Sequence, residues 1–258
     1  MLAESLESLL TTQALRQGST KLMARRRKRR SSRGRRERRS SVRRYLGVLA
    51  VGVFGSVVLL AMPASVMAGP NTTTCTGELA AGTYGRVVVP EGAACLSEAP
   101  VTIRGGLYIS AGATFVLGSD ESQTNTGTIT GGVHATNPAS VQIHVATING
   151  GVDIHGGSGP FGGPFGITWN AIERNKINGS ATVEGYDGFW FGFVGNHVNG
   201  SVRLNDNVLE DPDANEYVTN TIHGTLRCEG NSPNPQIGDS GGSPNQVTGP
   251  KTGQCEGL

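Results

Sequence analysis

Beyond residue 70 the sequence has almost no helix-forming stretches, no C-x-x-C pair and no complete catalytic motif. The first absence points to units made only of strands and turns. The second argues against zinc binding or thiol redox chemistry by the cysteines. The five histidines, at positions 134, 144, 155, 197 and 223, show no metal-ligand spacing either. Basic side chains are scarce there too. Of 22 Lys and Arg and 20 Asp and Glu, residues 1–68 hold 15 and 3, which leaves 7 and 17 for the rest, a net charge of about −10. So acidic a domain is a poor partner for DNA, RNA or anionic lipid. The whole-chain pI of 8.4 therefore describes the N-terminal tract more than the domain that follows it.

That tract reads as an export signal. Residues 25–44 carry thirteen Lys or Arg against one Glu, and an apolar run from Tyr45 to Met62 follows. Pro63 and small residues then lead to Val66-Met67-Ala68. A basic region, an apolar core and a small-x-small exit make a secretory signal with cleavage expected after Ala68. A retained membrane anchor is the alternative, since about eighteen apolar residues nearly span a bilayer. In either case the positive-inside rule puts the C-terminal part outside the cytoplasm, secreted or at the cell surface. Ser41-Val42-Arg43-Arg44-Tyr45-Leu46 resembles a twin-arginine signal, so the export route stays open. The arginine run also fits a nucleic-acid arm, but its place directly before an apolar core favours export. The expected organisation is a basic region over 1–44, a signal core and cleavage site over 45–68, and one domain over 69–258.

All four cysteines, Cys75, Cys95, Cys228 and Cys255, fall in the exported part, two near each end. Three pairings are open. The local one, Cys75–Cys95 with Cys228–Cys255, is favoured, as two structural disulfides of an oxidising compartment.

Glycine is abundant, 39 residues of 258. Short β-branched runs end in Gly, Asn, Asp or Pro, and these runs repeat. Aligned on one glycine, the segments ending at Ile109, Ala135, Ile154, Val183, Leu204 and Cys228 read VTIRGGLYI, GTITGGVHA, ATINGGVDI, NKINGSATV, NHVNGSVRL and NTIHGTLRC. NQVTGPKTG near the C-terminus is a degraded seventh copy. The aligned glycines (105, 131, 150, 179, 200, 224 and 249) are spaced 19 to 29 residues apart. A period in the twenties means stacked units that bury their apolar faces against neighbours. Leucine-rich repeats share the period but not the framework. The expectation is an all-β fold, a right-handed parallel β-helix of about seven to eight coils.

The columns give physical content to that expectation. Ile103, Ile129, Ile148, Ile177, Val198, Ile222 and Val247 fill one position. Leu107, Val133, Val152, Ala181, Val202 and Leu226 fill a second, and Ile109, Ala135, Ile154, Val183, Leu204 and Cys228 a third. Stacked at the strand spacing of about 4.8 Å, these become inward ladders. The glycine between them is expected to permit the bend between strands. Asn175, Asn196 and Asn220 share a position and are expected to stack as a structural amide ladder. The segment between Cys75 and Cys95 is expected to cap one end, and Cys228–Cys255 to pin the last coil.

The tail, Asn220-Thr-Ile-His-Gly-Thr-Leu-Arg-Cys228-Glu-Gly-Asn-Ser-Pro-Asn-Pro and then Pro244-Asn-Gln-Val-Thr-Gly-Pro-Lys-Thr-Gly-Gln-Cys255, resembles that of uncharacterised secreted β-helix proteins of high-GC Gram-positive bacteria. The resemblance covers the last forty residues and, through the repeat, the rest of the domain. More broadly it implies a fold like that of the pectate-lyase-like superfamily, which includes polysaccharide lyases and hydrolases. The catalytic segments of those enzymes are not present: there is no Asn-Thr-Asp, Asp-Asp and Gly-His-Gly series and no Arg-Ile-Lys or Trp-Ile-Asp-His segment. Fold alone does not confer an activity.

Three sets of residues are candidates for chemistry. Tyr108, His134, Asp153, Thr182, Arg203 and Arg227 form an outward column between two inward ladders. In it His134 and Asp153 are expected to come within hydrogen-bonding reach, and Arg203 and Arg227 to be able to grip a carboxylate. Proton transfer by His134 or Asp153, with arginines on a uronate, would serve an enzyme acting on acidic polysaccharide. The second set is aromatic: eight of the twelve aromatics after Ala68 fall between Phe161 and Phe193. Phe161, Phe165, Trp169, Tyr186 and Trp190 are candidates for stacking on sugar rings, against a plain role inside the coil. The third is Asp211, Asp213 and Asn215, similar to a D-x-D-x-N calcium loop but without its glycine and terminal Glu. No cofactor other than calcium is suggested. The reading favoured here is a non-catalytic surface, binding or structural module contacting polysaccharide or cell-envelope components. A polysaccharide lyase or hydrolase is the alternative.

Overall fold

The computed structural model describes residues 71–159, 169–238 and 241–258; the signal segment, Phe161 and Phe165 lie outside them. The described part is all-β, with no helix, and its short strands form three parallel sheets of eight, nine and six strands. These are called sheets 1, 2 and 3. Each full coil gives one strand to each sheet in turn, for example Gly127–Ile129, Val133–Thr136 and Ser140–His144, and the next coil repeats the circuit one strand further along. Stacked parallel strands wound in this way are the arrangement of a β-solenoid.

The aligned columns are the ladders of this stack. Ile103, Ile129, Ile148, Ile177, Val198, Ile222 and Val247 are consecutive partners in sheet 1. Leu107, Val133, Val152, Ala181, Val202 and Leu226 run up sheet 2, beside Ile109, Ala135, Ile154, Val183, Leu204 and Cys228. All are buried except half-buried Val247. Each enclosed aliphatic contributes roughly 1.5–3 kcal/mol, so the ladders are the main stabilising term. Sheet 3 closes the core with Phe115, Val141, Leu117, Ile143, Ile172, Phe193 and Tyr217. Its strands lie outside the aligned nine-residue segments, which is why the repeat did not display them.

The corners explain the polar residues of the repeat. Between sheets 3 and 1 the chain turns through one left-handed residue, Gly118, Val145, Arg174, Gly195 or Thr219 in successive coils. Side chains tolerate that conformation poorly, and Val145 and Thr219 least, since their β-branches crowd the backbone at φ 56° and 60°. After three of these turns comes an asparagine. Asn196 Oδ1 accepts from the Asn175 backbone N–H at 3.0 Å, and Asn196 Nδ2 donates to Ile172 O at 2.7 Å. Asn220 and Asn245 repeat the pattern one and two coils on. The buried ladder therefore satisfies backbone groups that the corner leaves without a strand partner. Asn207, Asn231 and Gln254 form a second such ladder between sheets 2 and 3.

The glycine column works differently from the expectation. Its members do not need a left-handed backbone; they need closeness. A Cβ on Gly150 would stand 2.6 Å from the Gly132 backbone nitrogen, and one on Gly200 2.7 Å from Gly179 O. Successive coils touch backbone to backbone along this edge, and any side chain would force them apart. The disulfides join Cys75 to Cys95 and Cys228 to Cys255, one at each end of the stack.

Candidate functional site

Side chains alternate across a strand, so whatever lies between two inward columns of sheet 2 projects outward. The register confirms one outward row: Tyr108, His134, Asp153, Thr182, Arg203 and Arg227 are consecutive neighbours. Its interior pairings are not those expected. His134 stacks on Tyr108 with ring centres 5.0 Å apart, and Arg86 lies 4.6 Å from the other ring as a cation–π partner. His134 Nε2 sits 3.3 Å from Gly131 O rather than on Asp153.

Asp153 instead takes His155, two residues along the same strand and thus on the same face. His155 Nε2 lies 2.8 Å from Asp153 Oδ1, and its Nδ1 3.0 Å from Glu184 Oε1 in the next coil. All three side chains are substantially exposed. Both ring nitrogens of His155 thus face a carboxylate, one on its own strand and one on the next coil. His155 and Glu184 stand one residue beyond the aligned segments that end at Ile154 and Val183, so the register of the repeat carries their pairing although the nine-residue pattern does not include it.

The arginine end is more open. Arg203 and Arg227 are adjacent rungs of sheet 2. Ser180, Thr182, Ser201 and Thr225 complete, with them, a shallow groove of about 410 Å³. The hydroxyl oxygens link successive coils: Ser180 Oγ accepts from Ser201 N–H at 3.2 Å and Ser201 Oγ from Thr225 N–H at 3.1 Å. Arg227 Nη2 donates to Glu229 Oε2 at 2.7 Å. That hydrogen bond, with smaller help from the charges of Arg227 and Arg203, holds the Glu229 carboxyl below its ordinary range. Arg203 takes part in none of the ion pairs among the described residues. The arrangement presents two guanidiniums and a rung of hydroxyls at strand spacing, suited to anionic and hydroxyl-rich ligands.

The other two candidate sets fare less well. Tyr186 is fully buried in the core, where its hydroxyl donates to Ala139 O at 3.2 Å. Burial, and then the charge of Asp187, pushes its pKa far above the ordinary tyrosine value. It is a packing residue and not a sugar platform. Trp190 faces out from sheet 3, half-buried, and its ring folds across Gly192, where a Cβ would meet it at 2.2 Å. Its Nε1–H donates to Glu216 Oε1 at 3.4 Å. Trp169 pairs in register with Trp190, and its side chain lies outside the described set. In the acidic turn, Asp211 Oδ1 accepts from Asp213 N–H. Asn215 is buried, with its amide donating to Asn207 O and Pro233 O and its Oδ1 accepting from Tyr217. Asn215 is thus spent inside the fold, and the suggested calcium set lacks its third ligand.

No family model matches this chain, and neither does any curated protein or any solved structure.

Proposed function

We propose that the chain is a secreted or cell-surface binding module, a right-handed parallel β-helix of the pectate-lyase-like kind, that holds an acidic polysaccharide along the outer face of sheet 2. The observation carrying this reading is the groove with Arg203 and Arg227 side by side over Ser180, Ser201 and Thr225. Although the domain as a whole is acidic, Arg203 and Arg227 make this patch locally basic, so uronate carboxylates meet guanidinium forks and sugar hydroxyls the serine and threonine rung. Regular rungs suit a regular polymer better than a single small molecule. Right-handedness follows the general preference of parallel crossovers. Two disulfides accord with an oxidising compartment outside the cytoplasm. Among the described residues no helix is long and apolar enough to cross a membrane, so any anchoring would fall to the 45–68 segment.

The module is non-catalytic on this reading. A glycosidase needs one protonated and one ionised carboxyl flanking the substrate, and the carboxylates nearest the groove are already committed to His155 and Arg227. A polysaccharide-active enzyme remains the second reading, favoured only by the exposed Asp153–His155–Glu184 group on the same face. Retention of the purified full chain on polygalacturonate, alginate and neutral glucans tests both. Binding to the acidic polymers, weakened at least tenfold in Arg203→Ala/Arg227→Ala, is expected, with no new reducing ends. The double variant also serves as control for the arginine-rich N-terminus, which it leaves intact. Equal retention of the double variant would sink the proposal, and polymer cleavage lost on His155→Gln would replace it with the enzyme.

A further inference from the structure

The outer face of sheet 3 holds a second polar cluster, independent of the groove. His144 ends the strand Ser140–His144 and pairs in register with Glu173 on Trp169–Glu173. Most coils leave sheet 3 through a one- or two-residue corner, but after Leu117 the chain makes a longer excursion, 118–126, before the strand Gly127–Ile129. This excursion folds back over His144. Thr126 Oγ1 donates to His144 O at 2.6 Å, and Arg174 donates to the backbone carbonyls of Ser119, Asp120 and Ser122. Asp120 is thereby set over the imidazole edge.

The result is a three-sided arrangement around one atom. His144 Nδ1 lies 3.2 Å from Asp120 Oδ1 and 3.6 Å from Glu173 Oε2. The His144 side chain is 1% exposed, and Nδ1 has no hydrogen-bond partner. The other ring nitrogen, Nε2, is 3.4 Å from Gln142 Oε1. With Nε2–H donating there, Nδ1 aims a lone pair between two carboxylates, a repulsive set unless a cation lies among them. Arg174 is the adjacent cation, and its guanidinium goes to backbone carbonyls instead of to either acid. Among the described residues neither Asp120 nor Glu173 has an ion-pair partner other than His144.

We propose that Asp120, His144 and Glu173 bind a divalent first-row cation, with zinc as the best fit. Three observations carry this. The donor atoms all lie within 4.8 Å of one another. Ligand atoms about 2.1 Å from a tetrahedral zinc stand about 3.4 Å apart, close to both His144 separations. Lastly, a neutral imidazole nitrogen suits zinc, whereas calcium takes oxygen ligands. Rotation of the Asp120 side chain, which is 72% exposed, closes the remaining distance and leaves a coordination position open to solvent. Bound there, the ion ties the 118–126 excursion to sheet 3.

Zinc titration of the EDTA-stripped full chain tests this, followed by calorimetry and by the visible spectrum after cobalt substitution. One ion per chain is expected, with a tetrahedral cobalt spectrum and affinity at least tenfold weaker in Asp120→Asn and in Glu173→Gln. His155→Gln removes the other carboxylate-flanked histidine and should leave the binding unchanged. Circular dichroism checks that each variant is folded, and Asp120, on the surface, is the safest of them. No saturable binding overturns the proposal. Binding that survives both carboxylate variants, binding lost in His155→Gln, or a preference for calcium overturns it as well.

Discussion

Two histidines on two faces of this molecule each stand between two carboxylates, and they are arranged in opposite ways. On sheet 2, His155 spans its partners, giving Nε2 to Asp153 and Nδ1 to Glu184. On sheet 3, His144 turns a single nitrogen toward both Asp120 and Glu173. The first is a bridge that closes on itself and needs nothing further. The second is a fork that needs a cation at its centre. Their surroundings differ in the same sense. The outward residues of sheet 2 are solvent-accessible side chains in simple vertical rows. On sheet 3 several outward residues, Val116, Gln142, His144, Ala171 and Val218, are buried although they point away from the core. Chemical residue type therefore says less about a position than whether chain folds over it.

The largest effect should come from placing the same charge on both faces. Ala171 is fully enclosed on the outer side of sheet 3, whereas Thr182 is partly exposed on the outer side of sheet 2. Ala171→Asp buries a carboxylate beside Gln142 and Gly192, with no cation in register, and should cost about 3–5 kcal/mol. Thr182→Asp, beside Arg203, should stay within about 0.5 kcal/mol of the parent. Urea unfolding midpoints of the two variants give the comparison directly. Similar midpoints would mean that sheet 3 is not covered as described.

A smaller contrast uses one residue type twice. Asn196 lies in the buried corner ladder, and its loss strands the Asn175 N–H and the Ile172 carbonyl. Asn196→Ala should cost about 2–4 kcal/mol, the desolvation of two unpaired backbone groups. Asn178 belongs to an exposed amide row, bonded to Asn149 at 2.8 Å and to Asn199 at 3.0 Å. Water replaces those partners, so Asn178→Ala should shift stability by less than about 0.5 kcal/mol. Thermal unfolding measures both, and equal losses would remove the distinction between structural and decorative ladders.

What was legible in the sequence followed from periodicity. Inward ladders and the outward row of sheet 2 repeat once per coil, so one alignment exposes them, whereas the cysteine pairing followed from closeness in sequence. Asn175, Asn196 and Asn220 were visible for the same reason, although Asn245 and the second ladder at Asn207 and Asn231 were not recognised. Sheet 3 follows connections of unequal length and so drops out of register in any alignment on glycine. The pairing of His144 with Asp120 depends on an excursion peculiar to one coil, and no spacing encodes it. Tyr186 misled for a related reason. An aromatic near other aromatics suggested a ligand platform, yet it follows the left-handed corner residue Gly185, and the turn directs its ring inward.

The weakest perturbation is also the one most specific to the sheet 2 groove. Glu229 is exposed and pairs with Arg227 across two residues of one strand, so it adds little to stability. Its carboxyl pKa is lowered by that pair, so whatever stability it gives is present above the ordinary carboxylate pKa and lost as the pH falls through the depressed value. Glu229→Gln should leave the melting temperature nearly unchanged at neutral pH. It also removes the only carboxylate in an ion pair with Arg227 among the described residues and so frees the second guanidinium for a ligand. Retention on polygalacturonate should then rise a few-fold, in the direction opposite to Arg227→Ala. An unchanged or lower retention would mean that the arginine pair does not face the bound polymer, because a competing anion that has been removed can only help a site that uses the charge it was neutralising.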